Sequence, residues 1–345
     1  MKKIYLLIFT LFLLCESNFA QYGYRTVATG NWNNYTTWER YNTGTSTWNA
    51  ATSGQIPGNM DTVYIQQGHT LSLTQNESCV NIAFQNSSGV RLILNDFILT
   101  VSGSIAAFTN TAPFTFPLTY SATINFTIQN GAMGFGKIKF TGNTRNIFTS
   151  GQWGANPQFW NCEFALNTGA IATLPNNFKA GRIIVSSGTL IANGDLRADG
   201  GTNAGDVIIT PNATLRVNGN MSRTGTVTST FDSIDVSGTF EIAGTSSNQN
   251  ISAINFNVNN GGKVVKINKN ALVTTITNRN WATGSSLTYA GTETQTVGGE
   301  FPATTSLPKV IINNSGTAAS VNFSGNRYIL DTLIMTSGNI SLGNM

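Results

Sequence analysis

The chain has 345 residues, of which only 10% are charged while 40% are hydrophobic and 35 are glycine, and its formal net charge is +4. So little charge and so much glycine exclude a helical protein built on Glu, Lys and Leu, and the scattered basic excess gives no footprint for nucleic acid. A single histidine excludes a His-rich zinc site.

Residues 1–20 read as an export signal. Lys2 and Lys3 precede an apolar run from Ile4 to Leu14, and Ala20 supplies a small residue before cleavage at Gln21. The run is too short to span a bilayer, and nothing later resembles a transmembrane helix. A lipoprotein reading would use Cys15, but Leu14 is larger than the small residue such a site normally has before it. Cleavage removes Lys2, Lys3 and Glu16, taking the charge from +4 to +3. The expected location is secreted or at the outer cell surface. Cys79 and Cys162 remain, either as a disulfide in an oxidising compartment or as two buried thiols in different coils.

Residues 21–60 have a separate texture, with Trp32, Tyr35, Trp38, Tyr41 and Trp48 crowded ahead of Ile56-Pro57-Gly58. Two readings stand: a cap over the open end of a solenoid, or an aromatic row that stacks on sugar rings. From Asp61 strands begin, Val63 and Ile65 and then Leu71 and Leu73, separated by a turn at Gly68-His69. The run Gly30-Asn31-Trp32, Thr37-Trp38, Ile56-Pro57, Asp61-Thr62-Val63-Tyr64-Ile65 and Gly68-His69-Thr70-Leu71 resembles the start of large secreted β-helix proteins of the Bacteroidota. It is also similar to the opening of G8-type domains, although Asn59-Met60 stands where Gly often precedes the Asp. The resemblance implies an exported, multi-coil β protein of the kind carried by type IX secretion, and it implies no reaction.

Between about 80 and 180, Val80-Ile82-Phe84, Val90-Leu92-Leu94, Ile98-Val101 and Ile124-Phe126-Ile128 alternate as strands. Ala106 to Pro117 and Gly151 to Asn161 read as projecting loops. From Arg182 to Lys269 the chain repeats at a step of 25: Thr189, Thr214 and Thr239; Leu190, Leu215, Phe240 and Val265; Ala192, Val217, Ile242 and Ile267. The row between the apolar ones is Ile191, Arg216, Glu241 and Lys266, whose alternating charges favour this stacking. Ile184, Ile209 and Ile234 mark a second strand, and Asn193, Asn218 and Asn268 with Gly194, Gly219 and Gly244 mark a tight corner. A unit this short cannot bury its own apolar face, so neighbours must stack. The expected fold is all-β, a right-handed parallel β-helix over 61–345 with an aromatic-rich N-terminal cap. Val310 to Gly316 and Asp331 to Gly338 read as further coils, and the end at Met345 in mid-coil reads as a cut in a longer protein.

Chemistry is thinly supplied. His69 lies in a turn, where a structural role competes with catalysis. Asp199, Asn203 and Asp206, in a Gly-rich loop, could supply oxygen ligands to calcium or be a plain solvated turn; no other cofactor is expected. At a step of 25, Asp195 maps to Asn220, Asp199 to Thr224, Asp206 to Phe231, and Asp235 back to Thr210, so no two carboxylates stack. Thr62, Ser233 and Thr332, each in an Asp-Ser/Thr-apolar triplet, resemble O-glycosylation sites of exported Bacteroidota proteins. Two functions follow. The favoured one is a structural or adhesive surface protein presenting a repetitive face to polysaccharide or a cell-surface protein; the other is a carbohydrate-active β-helix enzyme, a lyase or hydrolase.

Overall fold

Runs of a few alternating apolar and polar residues make strands too short to persist alone. In the computed structural model they stack coil upon coil into a parallel β-solenoid of about 9 turns, with no α-helix among the described residues. The structure describes residues 22–85, 89–108, 127–129, 136–146, 159–174, 177–198, 205–223, 231–247, 249–316 and 319–342.

Three stacks form the N-terminal coils. Gly23–Thr26, Thr62–Ile65, Asn81–Gln85 and Ile105–Phe108 pair in parallel. Gly30–Asn31, Thr70–Ser72, Arg91–Ile93 and Thr127–Gln129 form the next stack. Glu77–Cys79 begins a long third sheet that runs through Ile98–Val101, Lys137–Gly142 and Phe159–Leu166 and ends at Val273–Trp281. The other long sheet carries the 25-residue repeat and continues through Ser286–Tyr289 and Ser306–Asn313 to Tyr328–Ser337. Two expectations shift here: Ile105–Phe108 and Phe159–Leu166 are strands where loops were expected from Ala106 and up to Asn161. Gly23–Thr26 is likewise already a parallel rung, so the solenoid begins inside the segment expected to be only a cap.

The repeat rows hold for three coils. Leu190 faces Leu215, which faces Phe240, and Ala192 faces Val217 and then Ile242. All lie in one interior cluster, and Leu190, Leu215 and Phe240 have no exposure. Each such side chain contributes about 1.5–3 kcal/mol by leaving water. Outside, Arg216 Nε donates to Glu241 Oε2 at 2.6 Å. At the corner, Asn218 Nδ2 donates to Asn193 Oδ1 at 3.1 Å.

The fourth coil departs from the step. Thr239 pairs with Lys263 and Phe240 with Val264, so the step shortens to 24 (263 − 239). A slip of one residue exchanges the two faces of a strand. Val265 therefore follows Glu241 in the outer row, and Lys266, expected outside, follows Ile242 into the interior with no exposure. The Ile184, Ile209 and Ile234 row is also corrected. Ile183, Val207 and Ile234 share one column, and Val185, Ile209 and Val236 the next, because the connections between those strands differ in length from coil to coil.

The N-terminal end is closed by Trp38–Asn42 and Thr47–Ala50, a hairpin laid antiparallel on Gly23–Thr26. Trp32 and Trp38, the latter the first residue of that hairpin, are both buried, with rings 5.7 Å apart, edge to face. Their indole N–H groups donate to the carbonyls of Pro57 at 3.2 Å and Trp32 at 2.7 Å. Burying an indole requires such a partner, so these two rings are a plug rather than an exposed platform. Tyr41 packs on Trp48 at 5.2 Å, and Trp48 meets Tyr64 at 6.1 Å.

Cys79 and Cys162 are free and buried, and burial pushes both thiols up. They sit in one sheet with the strands Ile98–Val101 and Lys137–Gly142 between them, too far apart for a disulfide at about 4.8 Å per strand.

Candidate functional site

Polar side chains gather in several places among the described residues, and three of them bear on function. The first is the outer face of the long third sheet, where alternation turns every second side chain away from the core. Glu163 accepts from Lys137 at 2.5 Å and meets Lys139 at 3.3 Å; burial pushes its carboxyl up, but the two ammonium groups outweigh this and hold it below the usual value. Further along, Arg182 Nη2 donates to Asp206 Oδ2 at 2.7 Å. Ser233 Oγ lies 3.2 Å from Asp206 Oδ1 and 2.8 Å from Asp235 Oδ2. Asn257 Nδ2 then donates to Asp235 Oδ1, and Asn280 Nδ2 to Asn257 Oδ1, at 2.7 and 2.8 Å. The result is a ladder of amides and carboxylates that satisfy one another across successive coils.

This ladder settles where several expected site residues lie. Asp206 faces Ser233 rather than Phe231, and Asp235 faces Ile208 rather than Thr210. Asp195 does lie at the level of Asn220, whose backbone N–H it accepts at 2.9 Å. Of the three calcium candidates, Asp206 is held in the ion pair with Arg182, while Asp199 and Asn203 lie outside the described residues. Among the modification candidates, Thr62 is only 1% exposed and its hydroxyl accepts from Asn81 at 3.2 Å. Ser233 is engaged by the two carboxylates, and Thr332 is partly exposed on Tyr328–Ser337.

His69 is tied into a corner. Its Nδ1 is 2.8 Å from Thr26 Oγ1, which accepts from the Gln66 backbone N–H at 2.9 Å. Burial lowers the pKa of the imidazole, against a smaller opposing pull from a hydrogen bond to the Thr26 backbone.

The second place is interior and follows from the slip that turned Lys266 inward. Lys266 Nζ lies 3.7 Å from Glu300 Oε1 and donates to the Thr296 carbonyl at 2.7 Å. Glu300 Oε1 also accepts from the Tyr289 hydroxyl at 3.2 Å and from the Gly298 N–H at 2.9 Å. Burial lowers the Lys266 pKa against the opposing pull of Glu300, and burial first and Glu300 second raise that of Tyr289. Glu300 Oε2, Arg279 Nε and Trp281 Nε1 are buried without a hydrogen-bond partner beside a cavity of about 20 Å³, room for one water.

The third place is the cap. On the side of the hairpin that faces Tyr24, a groove of about 350 Å³ opens among Tyr22, Arg40, Asn42, Asn49 and Gln55. Arg40 pairs in register with Tyr24 on one strand and Asn49 on the other, so these side chains share a face. The Arg40 guanidinium lies over the Tyr22 ring, 3.4 Å from its centroid. Asn42 Oδ1 accepts from the N–H groups of Gly44 and Thr45, at 2.9 and 3.3 Å, and Gln55 Oε1 from that of Thr52 at 3.0 Å. Sequence reasoning passed over these residues in favour of the tryptophans; the Asn42-Thr43-Gly44 turn between two alternating runs was the available signal. No known protein family, curated protein or solved structure matches the chain.

Proposed function

We propose that the chain is an exported structural or adhesive protein of the outer cell surface, a rod that holds polar side chains in fixed rows for contact with glycans or partner proteins. Support comes from the axial register. Coil upon coil adds to a single interior cluster, which stiffens the stack. The outer ladder from Arg182 to Asn280 spends its carboxylates and amides on one another, an arrangement suited to rigid presentation rather than to proton transfer. The cap groove adds one recessed place where a ligand can be held at the end of the rod.

The processed protein incubated with acidic and neutral polysaccharides is expected to be retained on some of them without generating new reducing ends or unsaturated products. Appearance of either product would replace this reading with that of a carbohydrate-active enzyme.

A further inference from the structure

We propose that the cap groove is a binding site for an acidic oligosaccharide, one whose uronate carboxylate is taken by Arg40; this rests on the adhesive reading and names its ligand class. The charge argument begins with Arg40, which makes no ion pair among the described residues, whereas Arg25, its neighbour across the strands, is paired with Glu39. Glu39 points to the opposite face, as alternation along Trp38–Asn42 requires. The other nearby acid is Asp61, and both of its oxygens are occupied by backbone donors, Oδ1 by Tyr22 N at 2.9 Å and Oδ2 by Gly58 N at 2.8 Å. A guanidinium with its carboxylate neighbours already engaged matches an incoming carboxylate through its planar fork of donors.

The amides specify the rest. Backbone N–H groups bind the side-chain oxygens of Asn42 and Gln55, which turns each NH₂ away from its own turn and leaves it to donate outward. The Tyr22 ring beneath the guanidinium fixes the plane of Arg40, so its donor edge is set before the ligand arrives. The groove therefore offers a cation and amide side chains in one recess, in the size range of small-ligand pockets. A ring with one carboxylate and many hydroxyl and ether acceptors satisfies all of them; a neutral sugar leaves the cation without its counter-charge.

The test uses the processed protein and short oligogalacturonides, with their methyl-esterified forms as uncharged counterparts of the same shape, measured by titration calorimetry. Binding of the acid form is expected, with loss on esterification and with affinity lowered about tenfold or more in Arg40→Gln. Arg40→Lys, which keeps the charge without the fork, is expected to fall between, and unchanged melting temperatures establish that both variants fold. Equal binding of the esterified form, an unaffected Arg40→Gln protein, or equal capture of an acidic peptide would overturn the proposal. If the protein adheres to polysaccharide but Arg40→Gln adheres equally, the site assignment alone fails. If it adheres to none, the glycan-binding form of the adhesive reading fails with it.

Discussion

Thr26 and His69 show how a lone titratable side chain can be absorbed into architecture. Because burial depresses the His69 pKa below its ordinary 6.5, the unfolded chain binds a proton at a pH where the folded chain does not. Stability is therefore full above 6.5 and falls as the pH drops through 6.5 toward the folded value. Denaturant midpoints measured across that range should show this decline, and His69→Gln should flatten it; an identical decline in the variant would assign it to other groups. Lys266 poses the harder case. Removing its charge strands Glu300, so Lys266→Met should cost about 3–5 kcal/mol. Lys266→Met combined with Glu300→Gln, which keeps an oxygen for Tyr289 and Gly298, should regain most of that loss in the same measurement. At this scale the sequence was least legible. Lys266 fits a charged outer row at a step of 25, and the deletion of one residue that sends it inward has no signature of its own.

Among elements, legibility followed the regularity of the connections. Thr189, Thr214 and Thr239 fall in register because the same number of residues closes each of those circuits. The part of strand Phe178–Ala192 from Arg182 to Val185 does not keep its rows, since the step from Val185 to Ile209 is 24 and from Ile209 to Val236 is 27 (209 − 185 and 236 − 209). Strands were thus recognised by composition in both sheets, but their facing partners only where loop length was constant. The corner glycines give a direct check. A Cβ on Gly219 would collide with the backbone of Gly194 one coil below, so Gly219→Ala should cost about 1–3 kcal/mol by overpacking. Gly261→Ala tests the other mechanism, having open space but a φ of +79°, and should cost less, about 1 kcal/mol. Thermal melts of the two variants separate close approach from backbone handedness.

For the whole molecule, the repeat was enough to recover the fold class, because stacking is the one way short amphipathic circuits can hide their apolar sides. The ends carried no such logic. Trp32 and Trp38 fitted a cap or a sugar-stacking row until their burial decided for the plug, and the groove beside it came from Arg40, Asn42 and Gln55, residues whose types are common and whose meaning lies in which oxygen each backbone donor captures. One consequence follows from the order in which coils touch. Each circuit rests on the one made before it, with the plug of Trp32 and Trp38 at the start. A chain threaded outward through a pore, amino end leading, can settle its first turns while the remainder is still inside. On the proposal that the chain is exported, every turn that settles would draw the following stretch after it and resist backward slippage.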